Sequence, residues 1–324
     1  MTAIEELVQR ADLDGLVRMV DSLCASKQWD VLADLRNQSR DAVLTGRQLW
    51  PAATLAEYRL ALWAAPAWAA QMLDESSGRF TIGPLTEVAA QHHAYEELAP
   101  FLDGGPRTGF VAHERALRGE TIPDDTPNPL DIPFEIQGWE PEYCLATYSD
   151  DGVDAPAPTL PAADRFRAAT SPKAAQVEDV SVTLAVRQLL DTWTAASDGT
   201  VEVVCVEGDA AAAVASLGIE YPQLADLTPS EALAWTAWAG ASGGAHGRRR
   251  GAAAGRFGAW WLLAALGDML DDWPVQPGQL HAVADELDWF WWRGAAAPTG
   301  WSLQLAVHDK GEGYAWAINA HDTV

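Results

Sequence analysis

Residues 239–270 read AGASGGAHGRRRGAAAGRFGAWWLLAALGDML and concentrate glycine, arginine and tryptophan as no other part of the chain does. Gly243, Gly247, Gly251 and Gly255 recur every fourth residue. In a helix they form a smooth stripe open to another backbone; in a loop they permit positive φ and expose N–H groups. From Arg256 to Leu270 there is almost no polar face, which predicts a buried helix. Arg248, Arg249, Arg250 and Arg256 then gather near its N-terminal end. That end already carries about half a positive charge and unpaired N–H groups, so arginines there need an anion. Ser242, Gly243, His246, Gly247, Arg248, Arg249, Arg250, Gly251 and Arg256 are therefore the candidate anion-binding residues. The competing reading is that the chain's own acids, such as Asp271, Asp272 or those of the central region, supply the counter-charge.

Two short patterns overlap this stretch. Gly240-Ala241-Ser242-Gly243-Gly244 matches the nucleophile elbow G-x-S-x-G, which works only on a strand-to-helix turn. Here a capping box, Thr228-Pro229-Ser230-Glu231, predicts a helix running to about Ala239, immediately before it. Arg248-x-x-Gly251-x-Ala253 resembles the pyrophosphate loop of acyl-CoA-dependent N-acetyltransferases, but the strand that should precede it is missing. Walker A and dinucleotide-binding glycine patterns are absent.

Working outward, Val182–Thr194 is helical in pattern, Val201–Val206 is the clearest strand, and Asp209–Leu217 follows as a helix. Pro277–Trp292 places Leu280, Val283, Ala284, Leu287 and Trp291 on one helical face. Trp301–His308 and Gly313–Asn319 alternate with period two around Lys310-Gly311-Glu312 and predict a terminal hairpin. Ten of the sixteen tryptophans lie after residue 234. They read as an aromatic core, or, for Trp289, Trp291 and Trp292, as a pocket or exposed platform.

Toward the N-terminus the pattern is helical throughout. Ile4, Leu7, Val8 and Ala11 share a face. After a break at Asp12–Gly15, Leu16, Met19, Val20, Leu23 and Cys24 share another. Trp29, Leu32, Leu35 and Val43 continue the series, Pro51 suits a first helical position, and further helices fit 84–92, 95–102 and 106–118. Short helices with tight turns predict stacked helical hairpins without a named repeat. Residues 120–179 hold nine of the nineteen prolines and many acids, and read as a connector. Phe134, Ile136, Trp139, Tyr143 and Tyr148 still need packing partners there, and 142–148 suggests a strand.

The chain carries 21 Lys+Arg against 46 Asp+Glu, a net charge of −25. Such a surface repels phosphate backbones and anionic lipid, so neither nucleic acid nor a membrane is expected as partner. The three cysteines are scattered, which fits a reducing compartment. The acidic N-terminus lacks a signal peptide's basic region and apolar run, and the longest apolar run is too short to span a bilayer. A soluble, cytoplasmic protein is expected. His92-His93 with Glu96-Glu97 has no metal-ligand spacing, because adjacent histidines diverge by about 100° on a helix. Asp150-Asp151-Gly152-Val153-Asp154 lacks the full calcium-loop spacing.

Three stretches together, QLWPAATLAEYRLAL at 48–62, GGAHGRRRGAAAGRFGAWW at 243–261 and TGWSLQLAV at 299–307, resemble an uncharacterised family of actinobacterial cytoplasmic proteins. The resemblance implies no activity, cofactor or catalytic residue. The residues themselves predict an α+β chain: a helical, solenoid-like region over 1–119, a Pro/Asp-rich connector over 120–179, and a tryptophan-rich α/β domain over 180–324. No catalytic constellation survives its structural context. The reading is a non-enzymatic binding or regulatory protein with protein partners. The alternative is an enzyme or ligand-binding module that holds a phosphorylated or acyl-CoA-like ligand at 243–256. No cofactor is assigned.

Overall fold

A computed structural model describes residues 2–74, 81–150, 152–170, 174–295 and 300–323. The fold is α+β. It divides into two units, one of residues 1–130 with 146–154, the other of residues 131–145 with 155–324. The Pro/Asp-rich stretch thus contributes to both.

The first unit is a set of short helices: α1 (Ala3–Arg10), α2 (Leu13–Ala25), α3 (Trp29–Leu44), α4 (Trp50–Trp63), α5 (Pro66–Asp74), α6 (Leu85–Ala90), α7 (Tyr95–Leu98) and α8 (Pro106–Ala116). Local chemistry sets their starts. Thr2 and Glu5 form a capping box, the Asp12 carboxylate accepts from the Gly15 N–H, and Pro51 opens α4. Successive helices pack as hairpins, α2 on α3 and α4, then α4 on α5 and α6. Leu16, Val20, Leu32, Leu35, Leu60 and Leu62 are fully buried between them. Glu57 is buried in α4, where Arg36 of α3 pairs with it at 2.7 Å. The strand suggested at 142–148 is only its last two residues, β1 (Thr147–Tyr148), paired with β2 (Val153–Asp154).

The second unit is built on one antiparallel sheet. In chain order it contains β3 (Arg167–Ala168), β4 (Gln176–Val177), α9 (Val180–Leu189), α10 (Asp191–Ala195), β5 (Thr200–Glu207), α11 (Ala210–Ser216), β6 (Gln223–Leu227), α12 (Pro229–Ala241), α13 (Ala252–Leu266), α14 (Pro277–Glu286), β7 (Leu287–Arg293), β8 (Trp301–Asp309) and β9 (Tyr314–Asp322). The strand order is β3-β6-β7-β8-β9-β5-β4. One face buries Val206, Leu224, Trp292, Ala306, Ala315 and Ala317 against the alanines and Val214 of α11. The other face carries Trp289, Trp291, Leu303, Leu305 and Ile318, and α12 lies on it, with Trp235 against Trp291 at 4.5 Å between ring centroids.

Three expectations change here, and one alternative is decided. Pro277–Trp292 is not one helix: α14 stops at Glu286 and β7 begins at Leu287. The run Leu287-Asp288-Trp289-Phe290-Trp291 alternates in burial, and aromatic side chains suit a pleated, two-faced site. Trp289, Trp291 and Trp292 are at most 2% exposed, so they are core and form no platform. The apolar helix begins at Ala252 and ends at Leu266, before the 3-10 turn Leu270–Asp272, and Val182–Thr194 breaks at Leu190 into α9 and α10.

Candidate functional site

The glycine/arginine stretch is a folded loop between α12 and α13. Ser242 ends α12 as its C-cap, with its Oγ accepting from the Trp193 indole N–H at 2.9 Å and donating to the Ala239 carbonyl. It sits after a helix, with no histidine among its partners, so the elbow geometry is missing. Gly243 and Gly247 close on each other, and a Cβ on either would overlap the other's carbonyl oxygen. Gly244 has φ +71° and packs against Asp322, whose carboxylate accepts from the Ala245 N–H at 2.6 Å. The His246 N–H donates to Ser197 Oγ, and the Arg250 and Gly251 N–H groups both reach the Ala241 carbonyl. Gly251, at φ +96°, is the N-cap of α13; the element before it is α12, where an acyl-CoA loop would need a strand. Only Gly255 of the four spaced glycines lies in a helix.

The arginines diverge. Arg250 donates to the carbonyls of Gln188 and Leu189, the last turn of α9, where a cation complements the helix dipole and satisfies orphan acceptors. Arg249 is 8% exposed, and Arg248 and Arg249 are both engaged within the chain. Arg256 is fully buried in α13. Its Nε and one terminal nitrogen each lie 2.7 Å from the Glu140 carboxylate, and it also donates to the carbonyls of Pro133 and Glu135. An internal acid therefore occupies Arg256.

That pairing builds something else. Glu140 also accepts from the Trp260 indole at 2.9 Å, the Tyr143 hydroxyl at 2.5 Å and the Gln137 N–H at 2.8 Å. Burial pushes its carboxyl up, but the Arg256 hydrogen bonds and charge, aided by Tyr143 and Gln137, outweigh that and hold it below its ordinary value. So fixed, residues 141–145 form one wall of a cleft of about 470 Å³. Residues 156–159 form another wall, and the first turns of α12, from Ser230 to Trp235, form the floor. Pro141, Tyr143, Leu145, Pro156, Pro158 and Trp235 give it an apolar lining; Glu142 and Glu231 are its charged side chains.

Residues 14–324 match a family described as of unknown function, DUF6183. The chain belongs to the DUF6183 family. No curated protein and no solved structure matches it.

Within this DUF6183 chain the cleft is lined by one thiol, Cys144, and by the hydroxyls of Thr159 and Ser230. Burial and then the neighbouring Glu142 raise the thiol above the ordinary value, so it stays protonated at neutral pH. Glu231 is tied into the capping box with Thr228 and ion-paired with Arg165 at 3.0 Å. His92 stacks on Trp63 at 4.5 Å and His93 is buried; burial lowers both. Among the described residues no cluster of His, Cys, Asp and Glu is arranged for a metal. Asp150 pairs with Arg59 at 2.6 Å and Asp154 lies in β2; Asp151, and Thr299 of the stretch 299–307, are outside the described residues. No described helix is long and apolar enough to cross a membrane.

The cleft escaped the sequence reading because its walls lie in the stretch taken as connector. One signal was present there: Trp139-Glu140-Pro141-Glu142-Tyr143 sets an acid among aromatic residues that must be buried.

Proposed function

We propose that this protein acts by binding, and that the cleft beside α12 receives a short apolar segment of a partner protein that carries a positive charge. The observation behind this reading is the cleft itself. Its volume falls in the range of about 300–1,000 Å³ typical of ligand sites. Its lining includes three prolines and two aromatic residues, and its charged side chains are both acidic. A phosphate or carboxylate would meet Glu142 there, and a lysine or arginine would be attracted to it; Glu231 is already paired with Arg165. The groups with catalytic potential support a non-enzymatic reading, since Ser242, Arg250, Arg256 and Glu140 spend their hydrogen bonds inside the fold. The charge of −25 argues against nucleic acid and anionic membranes as partners. The free cysteines Cys24, Cys144 and Cys205 agree with a cytoplasmic setting.

A thermal-shift screen tests this, with short proline-rich peptides in basic and acidic versions beside nucleotides, CoA esters and sugar phosphates. Basic peptides should stabilise the wild type and lose that effect on Ala234→Trp, which fills the cleft floor. Stabilisation by phosphorylated compounds alone, abolished by Arg248→Ala and Arg249→Ala, would overturn the reading in favour of an anion site at 243–256.

A further inference from the structure

The two borders of the seven-stranded sheet are finished differently. Each ends in a two-residue strand, which leaves part of the next strand uncovered. On one side β3 pairs with Gln223 and Leu224 of β6, and the Ala169 N–H extends the ladder to the Pro222 carbonyl. The next outward group, the Asp226 carbonyl, is taken by the guanidinium of Arg165, itself held by Glu231. That edge is closed by a side chain.

On the other side β4 pairs with Cys205 and Val206, and the Glu207 N–H donates to the Ala175 carbonyl. By the two-residue period of a strand, Cys205, Val203 and Val201 direct their N–H and C=O groups the same way as Glu207. The chain leaves the ladder after Val177, where Asp179 caps α9. No described residue hydrogen-bonds the outward groups of Val203 or Val201. Both side chains are only partly buried, and Thr200 and Glu202 are exposed. Unpaired donors and acceptors at strand spacing are a template for another strand.

The charge around this edge defines the strand it would take. Glu178, Asp198 and Glu202 are all exposed. Two copies of this edge paired through Val201 and Val203 would set Glu202 opposite itself, a like-charge pair that opposes self-association in that register.

We infer that the open edge of β5, from Thr200 to Val204, is a strand-addition site for an extended, basic segment of another protein. This surface stands apart from the cleft reading and does not depend on it. The incoming strand would receive hydrogen bonds from the N–H groups of Val201 and Val203 and donate to their carbonyls. Lysine or arginine on the strand would meet Glu202.

A synthetic peptide of alternating valine and lysine, and its valine–glutamate counterpart, test this on the full chain by fluorescence anisotropy and amide hydrogen exchange. The lysine peptide should bind and protect the amides of Val201 and Val203, while the glutamate peptide should not bind. Val203→Pro removes an outward N–H without touching the β9 ladder and should weaken binding at least tenfold. Should that variant fold poorly, Glu202→Lys leaves the backbone intact and should weaken the lysine peptide by a similar factor. Binding without protection at 201 and 203, or equal binding to Val203→Pro, overturns the inference. So does a concentration-dependent dimer whose amides at 201 and 203 are already protected.

Discussion

Arg256 has no water-facing surface, and every polar partner it has comes from the stretch between Pro133 and Glu140. Truncating either side of such a pair leaves a charge buried without compensation, a loss of about 3–5 kcal/mol. Arg256→Ala should therefore lower the denaturation midpoint by an amount of that order, and a change below about 1 kcal/mol would contradict the pairing. Glu140 adds a pH signature. Its carboxyl titrates below its ordinary value of 4.5 in the folded chain. The stability it contributes is full above the unfolded value and is lost as pH falls through the depressed folded one. Urea unfolding between pH 7 and 3 should show the gap between wild type and Glu140→Gln closing toward acid; a constant gap would assign the stability elsewhere. That Arg256 needs an anion was legible in the sequence, because a cation in an apolar helix must be compensated. Its source was legible only to the region, among the acids of the central stretch; Glu140 itself was not, since it lies 116 residues earlier and spacing carries no signal at that distance.

Helix α13 depends on glycine where it meets α12 and tolerates more where it meets α9. A Cβ on Gly255 would overlap the Ala237 carbonyl oxygen, which is backbone and cannot yield. A Cβ on Gly258 meets only the end of the Leu189 side chain. Gly255→Ala should destabilise by about 1–3 kcal/mol. Gly258→Ala should be close to neutral, because roughly 1 kcal/mol of helix propensity offsets the displacement. Thermal unfolding of the two variants separates them; equal losses would contradict the close approach of Gly255 to the Ala237 carbonyl. Elements with local signatures were readable: the capping box at Thr228 and Glu231 starts α12 as expected, and the hairpin β8–β9 follows its period-two alternation. β7 was hidden because Leu287 and Trp291 extend the helical face of Leu280, Val283 and Ala284. One pattern served both periods until the sheet decided. β6, with Asp226 interrupting a short apolar run, offered too little periodicity to stand out.

At the scale of the molecule, a charge of −25 on 324 residues makes the folded chain repel itself. Added salt should raise the melting temperature steadily between about 0.02 and 0.3 M, where the screening length falls from tens of ångströms to under 10 Å. A flat response would mean that the acids are already offset by local pairs. The helical first half and the sheet-bearing second half were both legible, because one shows only helical periodicity and the other mixes two. The strand order was not, since four of its six pairings join segments separated by intervening elements. The way the chain is shared between the units also bears on dissection. It passes from one unit to the other at 130/131, 145/146 and 154/155. A fragment of residues 155–324 would hold every main strand yet strand Arg256 without its carboxylate. Beginning at residue 131 restores Glu140 but carries residues 146–154 away from the unit to which they belong. No single cut yields both halves whole, so proteolytic nicking within 131–154 should release neither half as an independently stable domain.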